Sequence, residues 1–247
     1  MSQIKTSAIV LKSINWKDTS KIVSLYTREN GRMDVIAKGV RRKNHPQNSN
    51  FEALNHLETI IYFSDKRELQ NIGETTLINS LHRIRIDLEK TAVGLALLEL
   101  LDTFFQQGET DIIFFDFLLT QFDALERSAN FQVVFWYFIL KLLSYLGFKP
   151  HFEQCNSCGK TKNEDYFFQK TSGSVFCKEC LGDTQLFTKL KSEVYQFLNR
   201  LQKTNHKKIA EVEIPQQFNF AKFNFLLEYL RFHTEQRVEL NSLKMIL

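Results

Sequence analysis

The stretch SKIVSLYTRENGRMDVIAKGV (residues 20–40) decides the fold of the N-terminal part of the chain. Two runs rich in Ile, Val and Tyr flank Glu29-Asn30-Gly31, and Asn-Gly tolerates the positive φ angles of a tight hairpin turn. In the second run, the apolar residues Met33, Val35 and Ala37 occupy every other position, as in a strand with one buried face. The stretch therefore predicts a β-hairpin.

Strand signals continue on both sides of this hairpin, in the segments 5–13, 54–64 and 69–78. The polar segment RRKNHPQNSN (41–50) has no periodicity and predicts a flexible loop. Five short strands with one long loop favour a small closed barrel of the OB-fold type. The alternative is an open sheet packed on the helices that follow.

From about residue 81 the hydrophobic period becomes helical. The helix-length segments are 86–106, 111–127, 131–148, 189–203 and 215–235. In the first of them one face carries Leu88, Ala92, Leu95, Leu98 and Asp102, and the third is apolar nearly all round, as in the central helix of a bundle. The fold class is therefore α+β, with an N-terminal OB-fold β-barrel followed by an α-helical domain. The predicted domains are 1–80 and 81–247, the latter with a zinc-ribbon-like insertion at 151–184.

All four cysteines of the chain lie in this insertion, as Cys155-x2-Cys158 and Cys177-x2-Cys180. Such pairs have the spacing of a four-cysteine zinc site, and the aromatic-rich segment between them predicts a hairpin that brings the pairs together. Four thiolates leave no open position for water, so the predicted Zn²⁺ is structural. The alternatives are a redox CxxC pair or a catalytic metal, and disulfides are disfavoured in a cytosolic protein.

Basic residues are concentrated in two blocks. Residues 1–50 carry ten Lys and Arg against three Asp and Glu, and residues 127–208 carry thirteen against six, although the whole chain has a net charge of only +4. Such asymmetry suggests a polyanionic partner, although blocks in sequence need not become patches in space.

Several classes of protein are disfavoured. The N-terminus has no secretory signal, and the most apolar run, VVFWYFIL (133–140), is too short to span a membrane, so a cytoplasmic protein is expected. The six histidines are scattered without a metalloenzyme pattern, and no phosphate-binding GxxxxGK[ST] loop is present. The sequence predicts neither an enzyme nor a small-molecule substrate.

Three motifs, taken in their order, resemble the RecO family of recombination mediators. SLYTRENGRMDVIAKGVRRKNH (24–45) resembles the family's hairpin followed by its "vAkGarr" pattern. CNSCGK with the later GSVFCKEC resembles the family's paired cysteines, and VELNSLKMIL resembles its C-terminal signature. NWKDTS (15–20) departs from the Gly-Glu turn of many members, and some members lack the cysteines.

The resemblance implies a non-enzymatic protein of bacterial DNA repair, associated with the nucleoid. Members of the family bind single- and double-stranded DNA and anneal complementary strands. They engage the C-terminal tail of the single-stranded-DNA-binding protein and, with a RecR partner, help load recombinase. The tail is expected in a groove of the helical half, which the sequence does not locate.

Phosphate binding requires exposed cations, and the first basic block supplies the candidates. The predicted DNA-binding residues are Lys12, Lys21, Arg28, Arg32, Lys38, Arg41, Arg42 and Lys43. Lys160, Lys162, Lys170 and Lys178 are candidates for a second strand. Trp16 and Tyr26 have the chemistry for base stacking, but Tyr26 is expected in the core. The alternatives to a mediator are a zinc-ribbon nucleic-acid-binding regulator and a protein–protein adaptor.

Overall fold

The computed structural model describes residues 2–161, 164–182, 187–215 and 224–246. The chain forms two compact units, one of Met1–Glu126 with Leu240–Ile246 and one of Arg127–Glu239. The first unit extends beyond the strands because the helices that follow them pack on the barrel. The chain changes from strands to helices after residue 80. A domain boundary at this position stays a prediction.

Five strands of the first unit close into a barrel. They are β1 (Ser2–Trp16), β2 (Ser20–Thr27), β3 (Gly31–Ala37), β4 (His56–Phe63) and β5 (Gln70–Asn79). The order is β1-β2-β3-β5-β4, with β4 returning to β1; only the pairing of β3 with β5 is parallel. This topology confirms the OB-like barrel and excludes the open sheet.

The predicted hairpin turn depends on Gly31. This residue has φ of +63°, a conformation that side chains other than glycine rarely adopt. A Cβ at this position would also overlap the backbone carbonyl of Glu109. The Thr27 hydroxyl donates a hydrogen bond of 2.8 Å to the Gly31 carbonyl, which closes the turn. Glycine is therefore required here both by the backbone angle and by the close approach of another segment.

The two faces of the hairpin strands pack differently. Met33, Val35 and Ala37 point into the barrel core, as the alternation in the sequence predicts. Tyr26, on the outer face of β2, is also fully buried, because Phe105 and Phe115 cover it with ring centroids at 5.3 and 5.8 Å. The predicted core position of Tyr26 is confirmed, and it lies under the helices rather than inside the barrel.

Three helices follow the barrel, namely α1 (His82–Arg85), α2 (Leu88–Phe104) and α3 (Ile112–Arg127). The side chain of Asp87 caps α2 by accepting a hydrogen bond from the Lys90 N–H at 3.0 Å. Most of the apolar face of α2 is buried, whereas its first residue, Leu88, is 58% exposed. These helices supply the residues that cover Tyr26.

The C-terminal segment returns to the first unit through Ser242. The carboxylate of Glu99 on α2 accepts one hydrogen bond from the Ser242 N–H and one from its hydroxyl, both 3.1 Å long. Burial raises the pKa of Glu99, and the Ser242 donors oppose that rise by stabilising the ionised form. The serine of the closing VELNSLKMIL segment thus has a defined partner 143 residues away.

Ser242→Ala is expected to lower the free energy of unfolding by about 1–2 kcal/mol, because Glu99 loses a hydroxyl donor. The loss should be larger at neutral pH than below the raised pKa of Glu99, since the donor favours the ionised carboxylate. Urea unfolding at the two pH values measures both effects. Ser49→Ala, at an exposed serine, is the control and should change stability by less than about 0.5 kcal/mol. An equal loss of unfolding free energy at both pH values would contradict the assignment of Ser242 as a donor to the ionised carboxylate of Glu99.

The second unit is built around α4 (Phe131–Tyr145), whose residues from Val133 to Leu140 are all buried. This confirms the predicted central helix. The other elements of the unit are β6 (Asp165–Gln169), β7 (Ser174–Phe176), β8 (Phe187–Lys191), α5 (Ser192–Lys203) and α6 (Asn224–Thr234). Among the described helices, none is long and apolar enough to cross a membrane.

Three segments differ from the sequence-based assignment or are only partly described. Residues 189–191, predicted as helix, belong to β8 because they pair with β6, and α5 begins at Ser192. The segment 41–50 forms successive hydrogen-bonded turns and leads into a 3-10 helix at Asn48–Phe51. Of the predicted helix 215–235, residues 216–223 lie outside the described residues.

Candidate nucleic-acid interface and metal centre

Four of the predicted DNA-binding residues form a cluster, here called the cation cluster, that follows strand β3. Its members are Lys38, Arg41, Arg42 and Lys43. Lys38, Arg42 and Lys43 are exposed and Arg41 is half-buried. Within the described residues, no carboxylate lies within ion-pair distance of any of them. The cluster is therefore a site of uncompensated positive charge on the barrel.

The backbone of the cation cluster is fixed by hydrogen bonds. Gly39 has φ of +71°, and its carbonyl accepts a bond of 3.1 Å from the Arg42 N–H. The Arg41 N–H donates to the Thr19 carbonyl at 2.8 Å, and Arg41 Nη1 donates to the Lys17 carbonyl at 3.1 Å. Arg41 therefore ties the cluster to the turn between β1 and β2.

Two further predicted DNA-binding residues share one carboxylate. Lys12 Nζ lies 2.5 Å from one oxygen of Asp102 on α2, and Arg32 Nη2 lies 2.8 Å from the other. The side chain of Arg32 is only 21% exposed. The carboxylate of Asp102 therefore compensates part of the positive charge of Lys12 and Arg32.

Arg28 and Lys21 also have partners within the first unit. Arg28 Nε and Nη2 each donate a bond of 2.9 Å to the carboxylate of Asp116. These bonds raise the pKa of Arg28 and lower that of Asp116. Lys21 Nζ donates to the Asn48 carbonyl at 3.1 Å. Of the eight predicted residues, the cation cluster and Lys21 thus have no acidic partner among the described residues, whereas Lys12, Arg28 and Arg32 each bind a carboxylate.

The residues proposed for a second strand are dispersed. Lys160 lies 3.7 Å from Glu179, and Lys170 Nζ lies 5.1 Å from the centre of the Phe232 ring. Lys178 is exposed, and Lys162 lies outside the described residues. The second basic block does not resemble the cation cluster, since one of its members is paired with an acid.

The acidic residues that compensate the barrel cations were not predicted from the sequence. Asp102 and Asp116 lie on α2 and α3, about 70 to 90 residues from the cations they bind. A signal for Asp102 was present, since it falls on the face of α2 that otherwise carries apolar residues. An acid in such a position indicates a cationic partner, although not which one.

The second candidate site is the set of four cysteines. One ligand atom from each of Cys155, Cys158, Cys177 and Cys180 lies within 4.8 Å of every other. The Sγ atoms of Cys158 and Cys177 are 3.6 Å apart. Tetrahedral thiolates around a metal at 2.3 Å would be separated by about 3.8 Å, so this donor set fits a metal centre and is too open for disulfides.

Backbone groups favour a thiolate at one of the four cysteines, Cys155, whereas burial raises the pKa of the Cys177 thiol. Burial raises the pKa of Cys155, but N–H groups of Cys158, Cys177 and Ser157 outweigh it and lower the pKa to about 6. One of these, the Cys177 N–H, lies 3.3 Å from the Cys155 sulfur. Such N–H to sulfur bonds stabilise negative charge on a ligating sulfur. The site can therefore hold a metal ion through these four sulfurs.

The hairpin that carries the cysteines packs on the helices of its own unit. β6 pairs with β7 as predicted, and also with β8. Tyr166 stacks on Tyr195 of α5, with ring centroids 3.6 Å apart, and Phe168 meets Phe225 and Tyr229 of α6 edge-on. Cys155 and Cys177 are buried beneath this layer, whereas Cys158 is exposed. The four cysteines thus lie at the end of a hairpin whose arms belong to the core.

A closed five-stranded barrel, a helical part and four cysteines positioned to hold a metal ion together define an OB-like protein of the α+β class. Residues 1–81 match the family described as Recombination protein O N terminal, and residues 85–243 match Recombination protein O C terminal. The chain therefore belongs to the RecO family, as the motifs in its sequence indicate.

Relatives of similar length carry the same family name. The chain is 27% identical over 240 residues to the DNA repair protein RecO of Caldicellulosiruptor saccharolyticus, which covers 97% of both proteins. It is 28% identical to the DNA repair protein RecO of Caldanaerobacter subterraneus, over 95% of this chain and 94% of the relative. A third protein of that name, from Alkaliphilus metalliredigens, is 24% identical over 98% of this chain. The similarity extends over both units.

Proposed function

We propose that this protein is a non-enzymatic recombination mediator of bacterial DNA repair. It binds single- and double-stranded DNA, anneals complementary strands and helps load recombinase onto DNA coated with single-stranded-DNA-binding protein. The observation that carries this proposal is the cation cluster on a barrel of the RecO family. Cations without acidic partners are available to replace the counterions of phosphate groups.

The arrangement of charge suits a sequence-tolerant interface. Annealing requires two polyanions to approach each other, and lysine and arginine side chains lower their mutual repulsion. Exposed cations on a barrel contact the phosphate backbone, which has the same charge in every sequence. Lys12, Arg28 and Arg32 can join this surface only by exchanging a carboxylate for a phosphate. The cation cluster is therefore proposed as the primary contact.

The metal at the four cysteines is proposed to be a structural Zn²⁺. Zinc accepts four thiolates in a tetrahedron, and a site filled by protein ligands offers no position for a substrate. The metal would hold together a hairpin that is too short to form a core of its own. DNA binding is then assigned to the barrel and not to the metal site.

Two protein partners complete the proposal, and the resemblance to the RecO family supports both. One is the acidic C-terminal tail of the single-stranded-DNA-binding protein, and the other is RecR. No residues are assigned to either partner. Since its substrate is coated chromosomal DNA, the protein is proposed to act in the cytoplasm at the nucleoid.

The experiment that tests this function is strand annealing on coated DNA. Complementary oligonucleotides are coated with the cognate single-stranded-DNA-binding protein, and duplex formation is followed by fluorescence with and without the purified chain. Annealing is expected to accelerate, and the acceleration should decline as salt increases, because phosphate contacts weaken with salt.

The other outcomes favour other classes of protein. Tight binding to one duplex sequence without annealing would favour a zinc-ribbon regulator. Failure of the folded, metal-loaded protein to bind DNA even at low salt would favour a protein–protein adaptor. Either result would overturn the mediator proposal.

A further inference from the structure

The outer face of the first three strands carries an exposed apolar row. Residues directly opposite each other on paired strands share a face of the sheet. The register places Ile14 opposite Ile22 and Ile22 opposite Ile36, while Trp16 lies opposite Ser20 in the next outward-facing row. Ile14 is 57% exposed and Trp16 is 42% exposed. A large aromatic side chain is therefore partly exposed to solvent at the end of β1.

Among the described residues, the helices of the first unit cover the opposite end of this face. Tyr26 is buried under Phe105 and Phe115, and Asp102 binds Arg32, which is paired with Tyr26, and Lys12 in the next row along the face. Ser20 is six residues from Tyr26 along β2, a distance of about 20 Å. Among the described residues, the aromatic cluster thus covers the Tyr26 end of this face, whereas Trp16 at the other end is 42% exposed.

Trp16 is also held beside the cation cluster. The next residue, Lys17, has φ of +50° at the turn, and its carbonyl accepts the hydrogen bond from Arg41. Lys38 follows Ala37, the last residue of β3, and so lies two strands away from β1, at about 10 Å. Positive charge without acidic partners among the described residues therefore adjoins the indole.

We infer that Trp16 stacks on a base of single-stranded DNA while the cation cluster holds the neighbouring phosphates. The inference rests on the proposed function, since it assumes that this barrel surface binds DNA. The face of strands 2 and 3 and the loop between strands 1 and 2 are the usual positions for oligonucleotides on OB-folds. An aromatic ring accepts every base on its π face, but only when the base is unpaired and unstacked. Adjacent positive charge favours a polyanion over an apolar protein segment as the occupant.

The fluorescence of the chain provides a direct test. It contains two tryptophans, and the other one, Trp136, is fully buried in α4. Titration with oligothymidylate is expected to quench the emission of the wild-type protein and to leave Trp16→Phe, which reports Trp136 alone, unchanged. Trp16→Ala is expected to lower the affinity for oligothymidylate about tenfold. Its affinity for a blunt duplex should stay the same, because duplex bases are already stacked.

The remaining outcomes separate this inference from the proposed function. Binding of oligothymidylate without quenching, together with unchanged affinity of Trp16→Ala, would overturn stacking and leave the mediator function standing. An equal loss of affinity for oligothymidylate and duplex would overturn stacking and assign Trp16 a role in holding the hairpin. Absence of any DNA binding by the wild type would overturn both. Trp16→Phe keeps an aromatic ring on the strand and is the control for misfolding.

Discussion

Cys177→Ser is expected to abolish metal binding and to unfold the two CxxC turns at the end of the cysteine hairpin. Cys177 is fully buried among the other three cysteines, and serine cannot replace a thiolate ligand of zinc. Zinc contributes about 10–16 kcal/mol to the folding of small zinc-finger peptides. Since the hairpin keeps its aromatic contacts to α5 and α6, the expected loss of unfolding free energy is smaller, about 4 kcal/mol or more.

Metal content per chain and urea unfolding measure the two parts of this prediction. Asn156→Ala changes an exposed residue of the other CxxC turn, Cys155–Cys158, and is the control; it should retain the metal and the wild-type stability. The barrel's affinity for DNA should also persist in Cys177→Ser, because all four ligands belong to the second unit. Full metal content in Cys177→Ser, with unchanged unfolding, would show that the four sulfurs do not act as one site.

The second large effect is expected from the variant Lys38→Ala, Arg42→Ala and Lys43→Ala. These three side chains are exposed and form no ion pair among the described residues, so their removal should leave the fold intact. Each lost contact with a single strand lowers the salt slope of log affinity by about 0.7, so the slope should fall by about 2. At physiological salt the affinity for DNA should fall roughly tenfold or more.

Arg41 is kept in this variant because its side chain donates to the Lys17 carbonyl, and loss of this bond would disturb the turn. The matched control removes the same number of charges elsewhere, as Lys66→Ala, Lys207→Ala and Lys208→Ala, all at exposed positions. Fluorescence anisotropy across a range of salt concentrations gives affinity and slope for both variants. An equal decrease in the two would mean that net charge, and not the cation cluster, determines binding.

The barrel could be predicted because its signals are local. Asn30-Gly31 specifies the turn, and the alternation from Met33 to Ala37 specifies which face of β3 is buried. The cysteine hairpin follows from spacing in the same way, since two CxxC turns joined by aromatic arms converge on one point. These features depend on contacts between residues that are close in sequence, or on a hydrophobic pattern that repeats with the period of a strand.

The parts that could not be predicted depend on contacts over long sequence separations. Lys12 and Arg28 look alike in sequence to the members of the cation cluster, and only the packing of α2 and α3 supplies their acidic partners. Lys189–Lys191 has helical spacing, but pairing with β6 outweighs that local preference. The hydrogen bonds between Ser242 and Glu99 likewise require the chain to return to α2 after the second unit.

Asp102 and Asp116 have a further consequence for the kinetics of the proposed annealing. By occupying Lys12, Arg28 and Arg32, these carboxylates shorten the run of cations that a strand can contact at once. A short footprint means few simultaneous contacts and therefore a high dissociation rate. A protein that brings two strands together must release them as they pair, because a strand held along its whole length cannot search for its complement. The acidic residues on α2 and α3 would thus set the residence time of DNA on the barrel.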